Sequence, residues 1–148
     1  AYVRNLLTLT NLTVHGADGG PARPRTGHPV VLRLRYTVEE DVPAVRFEVR
    51  VSSEDGRTRI ATLHTDGHQA AAAPGGIVEF EIPALPLRAG AYHLGATAFD
   101  SRVHQVLAWW DGSTMLRVTG EDKAAGGLLH IPHSARMITV PAARSDRP

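Results

Sequence analysis

The residues best suited to binding chemistry are arginines that alternate with apolar residues along two predicted strands. Arg33 and Arg35 lie on one such stretch, and Arg46, Glu48 and Arg50 lie on the next. Alternate residues of a strand project from the same face, so each set is presented together. A guanidinium group donates paired hydrogen bonds to hydroxyls, carboxylates or phosphates. If the two strands are neighbours, their polar faces form one surface that could bind a sugar.

Two further polar residues, His93 and Thr97, alternate with apolar residues on a later predicted strand and extend the candidate surface. A sugar site needs such hydrogen-bonding groups together with an aromatic or apolar platform for the C–H face of the ring. The alternative is a solvated sheet face whose cross-strand Arg–Glu pairs each contribute under ~1 kcal/mol. The sequence leaves both interpretations open.

Trp109 and Trp110 are the candidate platform. Adjacent strand residues face opposite sides, so one indole is expected in the core and the other at the surface. An exposed tryptophan beside Asp111 could stack on a sugar or pack in a dimer interface. Partial burial of both rings at a sheet edge is the alternative.

Metal binding and catalysis find little support in the residue spacing. The pairs His64/His68 and His130/His133 lie in predicted loop or extended segments without a third ligand at metal-binding spacing, so no metal and no other cofactor is expected. Asp100, Ser101 and His104 are too close in sequence to converge as a catalytic triad. We therefore expect a domain that performs no catalysis.

Composition indicates one globular domain. The chain has 148 residues, of which 43% are hydrophobic and 21% charged, with no cysteine, so its fold cannot depend on disulfides. A net charge of +1 argues against a dedicated nucleic-acid binder. We expect a single domain over residues 1–140 and a flexible tail over 141–148.

Short alternating stretches separated by Gly, Pro, Asp and Asn predict an all-β fold. The predicted strands span residues 7–14, 30–38, 45–51, 59–65, 77–82, 91–99, 103–109 and 113–119. Their number and spacing are typical of an antiparallel β-sandwich, immunoglobulin-like or jelly-roll-like. Asp55-Gly56 predicts a hairpin turn, and the small residues 70–76 predict a loop. Gly90 followed by Tyr92 predicts a tyrosine corner, in which the buried phenol bonds back to the preceding turn.

Several short motifs occur in an order that resembles a known family. They are Thr26-Gly27-His28-Pro29, Thr62-Leu63-His64-Thr65, Leu85-x-Leu87-x-x-Gly90-x-Tyr92-x-Leu94, Leu116-Arg117-Val118 and Gly126-Gly127-Leu128-Leu129-His130-Ile131-Pro132-His133. The third is similar to the Leu-x-Pro-Gly-x-Tyr-x-Leu corner of the Wzt C-terminal domain family, with Arg88-Ala89 where a proline often precedes the glycine. Leu116 stands where that family has an aromatic residue. The resemblance covers roughly residues 9–133.

The resemblance implies a non-catalytic domain that binds a cell-surface polysaccharide for an ABC exporter. It implies as partners the polysaccharide, the nucleotide-binding and transmembrane subunits of the transporter, and a second copy of the chain, with no nucleic acid. It also implies a cytoplasmic location, peripheral to the inner face of the plasma membrane. The chain carries no Gly-x-x-x-x-Gly-Lys-Ser/Thr phosphate loop, so an ATPase would lie outside it. The alternative is an immunoglobulin-like protein-interaction or adhesion module, because fold alone does not select a function.

Overall fold

The computed structural model describes residues 6–120 and 127–138, and within them the chain forms eight strands. The strands are β1 (Leu7–His15), β2 (Val30–Val38), β3 (Val42–Ser53), β4 (Arg59–His64), β5 (Gln69–Ala71), β6 (Gly75–Ile82), β7 (Gly90–Asp100) and β8 (Gln105–Val118). All strand pairs are antiparallel. The expected all-β antiparallel sandwich is confirmed. The proposed tail over 141–148 lies outside the described residues.

The strands divide into two sheets. A three-stranded sheet has the order β1-β2-β6, and a five-stranded sheet has the order β4-β3-β7-β8 with β5 also paired to β3. Each sheet turns its apolar residues inward, as the alternation predicts. Leu32 and Leu34 of the first sheet and Val49 and Leu94 of the second are fully buried. The polar residues between them therefore form two outer faces, one on each sheet.

The number of strands agrees with the sequence analysis, but two assignments differ. Residues 103–109 and 113–119, predicted as separate strands, belong to the single strand β8. The strand continues because β7 pairs with it on both sides of residues 111–113, where Leu94 pairs with Thr114 and Ala96 pairs with Trp110. Residues 111–113 form an irregularity in the register between the two strands. Conversely, the predicted loop 70–76 overlaps the short strand β5 and the start of β6. Turn-forming residues interrupt the alternation of apolar and polar residues, but not every interruption ends a strand.

The tyrosine corner is confirmed. Tyr92 is buried, and its hydroxyl donates a hydrogen bond of 2.7 Å to the carbonyl of Arg88. The carbonyl of Leu128 lies 3.4 Å from the same hydroxyl, and Leu129 pairs with Leu87. Residues 127–130 are thus docked along the segment that leads into β7. The corner fixes both the start of β7 and the path of the chain after β8.

One side of the sandwich is closed by polar contacts between β1 and β8. Thr114 Oγ1 donates to the carbonyl of Leu12 at 2.9 Å and accepts from Trp110 Nε1 at 3.3 Å. The indole of Trp110 lies over Gly112, where an added Cβ would meet the ring at 2.0 Å. This contact requires glycine at position 112.

No helix among the described residues is long and apolar enough to cross a membrane.

Candidate functional site

The outer face of the five-stranded sheet carries most of the candidate residues. β3 contributes three of them, β7 two and β8 one. They are Arg46, Glu48, Arg50, His93, Thr97 and Trp109. We call this set the arginine–tryptophan face.

A single row crosses four strands of this face. Trp109 pairs with Thr97, Thr97 pairs with Glu48, and Glu48 pairs with His64. Neighbouring strands lie ~4.8 Å apart, so the row spans about 14 Å. An aromatic ring stands at one end, and hydrogen-bonding groups occupy the rest.

Arg46 and Glu48 form an ion pair on this face. Arg46 Nε lies 3.3 Å from Glu48 Oε1, and the two side chains are 34% and 20% exposed. The Nε atom itself is buried and makes no well-aligned hydrogen bond within the described part of the chain. The pair agrees with the alternative interpretation of the sequence, a solvated sheet face on which charges of opposite sign neutralise each other. The contact involves only Nε of Arg46 and one oxygen of Glu48, and both side chains are partly exposed.

Arg50 is held flat on the sheet by its neighbours. Its Nη1 donates to Thr97 Oγ1 at 2.5 Å. Its guanidinium lies across Gly95, where an added Cβ would stand 3.0 Å from Nη2. Burial lowers the pKa of Arg50, the nearby Arg59 lowers it further, and Glu48 opposes the shift. Arginine stays charged at neutral pH despite such a shift, so the face presents a fixed, partly desolvated cation.

Trp109 and Trp110 face opposite sides, as predicted. Trp109 is 66% exposed on the outer face, whereas Trp110 packs against the core and bonds Thr114. Only Trp109 can therefore act as a platform at the surface. Trp110 serves the closure of the sandwich.

Arg33 and Arg35 lie elsewhere. The condition that their strand neighbours the strand of Arg46 is not met, because β2 and β3 belong to different sheets. The two arginine sets project from opposite outer faces of the sandwich, so they cannot contact the same sugar unit within one domain. Alternation determines which residues share a face of one strand, but it carries no information about which strands pair.

Two residues of β4 that were not among the candidates also lie beside the arginine–tryptophan face. His64 pairs with Glu48, and Thr62 pairs with Arg50, both from β4. The signal was present in the predicted hairpin turn at Asp55-Gly56, which is confirmed by a hydrogen bond from Gly56 N to Ser53 O at 2.8 Å. Residues equidistant from such a turn oppose each other across the hairpin, so the turn places β4 beside β3 and gives the observed Ser52–Arg59 pair. Counting alone would then put Leu63 opposite Glu48, because the register shift between Val51 and Ser52 moves the later pairs by one residue.

The residues weighed for catalysis do not converge. The carboxylate of Asp100 is held by Arg102, with oxygen–nitrogen distances of 3.3 and 3.1 Å. These bonds lower the pKa of Asp100. Ser101 Oγ bonds His68, not His104. Within residues 6–120 and 127–138, no group of three metal-ligating side chains is placed to hold an ion.

Comparison with known proteins agrees with this architecture. The crystal structure of the C-terminal domain of Wzt superposes with a TM-score of 0.76 at 14% identity, covering 93% of this chain and 87% of that one. Two structures of Bacteroides uniformis β-glucuronidases superpose less closely. One has a TM-score of 0.52 at 13% identity, and the other, β-glucuronidase 2 with a covalently bound cyclophellitol-6-carboxylate aziridine, has 0.50 at 13%. Each is covered over 14% of its length by 75% of this chain.

At such identities these likenesses establish the fold alone. No individually curated protein matches the chain in sequence. The model of one family, the Wzt C-terminal domain, matches residues 4–131. That match spans most of the chain and includes every motif of the resemblance except its last two residues. The chain therefore belongs to the Wzt C-terminal domain family.

Proposed function

We propose that this domain binds a cell-surface polysaccharide on its arginine–tryptophan face and so selects it for export by an ABC transporter. The observation that supports this site is the placement of exposed Trp109 in one row with Thr97 and Glu48. Arg46 and Arg50 flank that row on β3. An aromatic surface beside fixed donors and a carboxylate is the combination that a sugar requires.

We assign a role to each group. The indole of Trp109 packs against the C–H face of one sugar ring. Glu48 accepts hydrogen bonds from hydroxyl groups of the next unit, and Arg46 and Arg50 donate to its oxygens. Since Arg50 is already fixed by Thr97 and Gly95, little side-chain entropy is lost when the glycan binds. His93, which pairs with Ser52 further along the sheet, extends the face toward the tyrosine corner.

Family membership supports the export context. The family is that of the carbohydrate-recognition domain of the O-antigen ABC transporter ATP-binding protein, and its domains are non-catalytic. We propose that this chain likewise acts at the cytoplasmic face of the membrane, beside the nucleotide-binding and transmembrane subunits. Its contribution is recognition, while the energy for transport comes from ATP hydrolysis elsewhere in the exporter.

We further propose that the domain acts as a homodimer through its C-terminal segment. Beyond the docked residues 127–130, this segment exposes Ile131, Met137 and Ile138 at 69%, 98% and 71%. A second copy of the chain would cover these large apolar side chains. Two linked sites on one polysaccharide raise the effective concentration of each, so weak single sites still give firm binding.

The test is a titration of the purified domain with the cell-surface polysaccharide of its source organism, followed by tryptophan fluorescence and backbone amide shifts. We expect a saturable change whose amide shifts map to β3, β7 and β8. Trp109→Ala should remove the amide shifts, whereas Arg57→Ala, at an exposed turn, should retain them. Shifts confined to β1, β2 and β6 would move the site to the other sheet. The absence of any response from the folded domain would favour a protein-interaction or adhesion module.

A further inference from the structure

The outer face of the three-stranded sheet contains a hollow that is separate from the arginine–tryptophan face. It measures about 240 Å³ and is lined by Asn11, Thr13, His15, Arg33, Arg35 and Ile77. We call it the Arg35 groove. Its floor is two rows of the sheet: Asn11 pairs with Arg35, which pairs with Ile77, and Thr13 pairs with Arg33, which pairs with Glu79. The groove therefore has a register fixed by strand pairing.

The loop after β1 lies close to Arg33, one of the residues that line the groove. His15 pairs with Pro21, and Gly16 N donates to Gly20 O at 3.0 Å, so the loop folds back toward the sheet. Gly19 in this loop has a φ of 82°, and an added Cβ there would stand 3.2 Å from Arg33 Nη2. Glycine at position 19 thus lets the loop approach the guanidinium closely.

The hydrogen-bonding groups of the groove are mainly donors. Glu79 is engaged by Arg33 Nε at 3.1 Å, and Asn11 Oδ1 is engaged by Leu12 N at 3.0 Å. Asn11 therefore presents its amide NH₂ group to solvent. Arg35 is exposed, and no carboxylate in residues 6–120 or 127–138 forms an ion pair with it. Thr13 Oγ1 and His15 Nε2 bond each other at 2.7 Å, and one oxygen of Glu79 is engaged by Arg33. The guanidinium fork of Arg35 and the amide donor of Asn11 have no such partner among the described residues.

We propose that the Arg35 groove binds an oxyanion, the carboxylate or phosphate of a charged sugar unit. The fork of Arg35 would hold two oxygens in parallel while Asn11 Nδ2 donates to one of them. A second hollow continues from Arg35 and Ile77 past Pro74 and Gly75, and its surface is mostly apolar. That continuation gives the ring attached to the oxyanion an apolar surface to lie on. Neutral sugars gain less, since this groove offers few free acceptors to their hydroxyls.

The experiment is an NMR titration of the whole chain with three probes: glucuronate, glucose 1-phosphate and glucose. We expect saturable amide shifts on β1 and β2 with at least one charged probe, and none there with glucose. The two charged probes separate a carboxylate site from a phosphate site. Raising the salt concentration should weaken the interaction, since charge attraction contributes to it.

Asn11→Asp gives the sharpest variant. It keeps the acceptor for Leu12 N but supplies Arg35 with a carboxylate from the neighbouring strand, so the groove becomes self-satisfied. We expect at least a tenfold loss of affinity for the charged probe with no loss of fold. Arg35→Lys retains the charge without the fork and should weaken binding less. Arg57→Ala, at the exposed turn between β3 and β4, is the matched control and should bind normally.

The proposal is overturned if neither charged probe shifts the amides of β1 and β2. It is equally overturned if glucose produces the same shifts, or if Asn11→Asp binds the charged probe as the original chain does. None of these outcomes depends on the polysaccharide titration, because the probes and the variants are different. The two proposals can therefore fail separately.

Discussion

Both outer faces of the sandwich carry arginines, yet the two faces differ in how these charges are satisfied. On the arginine–tryptophan face Arg46 is paired with Glu48, Arg50 is bonded to Thr97, and Trp109 provides an open aromatic surface. In the Arg35 groove there is no tryptophan, and Arg35 has no ion-pair partner among the described carboxylates. The first arrangement favours a neutral or mixed surface such as a glycan chain, and the second favours a compact anion. Similar residue types thus serve different ligands because of their neighbours.

Trp109→Ala should produce the largest change, and only on the first face. We expect at least a tenfold loss of affinity for the polysaccharide, about 1.4 kcal/mol, because tryptophans at binding surfaces are often dominant contacts. Stability should stay within about 0.5 kcal/mol, since the side chain is 66% exposed. Isothermal titration and thermal melting measure the two quantities.

The adjacent tryptophan is the control for this change. Trp110→Phe should leave glycan affinity intact but lower stability by about 1–2 kcal/mol, through the lost bond to Thr114 and the smaller ring. If Trp110→Phe weakened binding as much as Trp109→Ala, the distinction between the outward and inward indoles would be wrong.

Arg50→Ala should weaken polysaccharide binding about fivefold, by roughly 1 kcal/mol, because one donor group is removed. Arg35→Ala should leave the same affinity unchanged while it removes binding of the charged probe. This exchange of effects tests whether the two faces are independent. A loss of polysaccharide affinity in both variants would show that a single ligand spans them, for instance across two copies of the domain.

Tyr92→Phe should lower stability by about 1 kcal/mol, because the hydroxyl bond to Arg88 is lost. Burial raises the pKa of Tyr92. Folding therefore favours the neutral phenol, and the stability it contributes is intact below about pH 10 and lost as the pH rises further. Urea unfolding between pH 7 and 11 should show this decline in the original chain and a weaker one in Tyr92→Phe.

Hydrogen exchange would relate the same variant to the two faces. Tyr92 belongs to the five-stranded sheet, so faster exchange is expected for the amides of β7 and β8 than for those of β1 and β2. Equal acceleration in both sheets would indicate that the corner supports the whole sandwich and not one face.

Gly95→Ala should have the smallest effect. The added methyl group would press on Arg50 Nη2 and displace the guanidinium group, whose Nη1 donates to Thr97, by a few tenths of an ångström. We expect a two- to threefold loss of polysaccharide affinity, under about 1 kcal/mol, with the Arg35 groove unaffected. A loss of affinity as large as that of Arg50→Ala would mean that the exact position of the Arg50 guanidinium determines polysaccharide binding.

The fold was largely predictable from the sequence because alternation and turn chemistry are local properties. The faces of β2, β3 and β7 follow directly from residues such as Leu32, Val49 and Leu94, and Tyr92 identifies its own corner. Trp109 and Trp110 were correctly assigned to opposite sides for the same reason. These inferences need only the two-residue repeat of a strand.

The composition of the site was less predictable, because it depends on which strands pair over long separations. Arg33 and Arg46 look equivalent in the sequence, and only the sheet order separates them. The continuity of β8 likewise depends on β7, which pairs with it on both sides of the irregularity at 111–113. The partners of Arg50, Thr97 and Gly95, are more than forty residues away in the chain.

The irregularity in β8 also bears on how relatives diverge. Residues 111–113 oppose only Gly95 on β7, so they divide the strand into two halves that differ in register, the first of which has a further shift opposite Ala98 and Phe99. The half ending at Val118 is anchored in the core by Leu116, while the half that carries Trp109 reaches the surface. A change of length between the halves can leave both pairings with β7 in place, provided that the contacts of Trp110 with Gly112 and Thr114 are replaced. Evolution can thus alter the length and aromatic content of the exposed half while the scaffold is inherited, which is compatible with a shared fold at 14% identity.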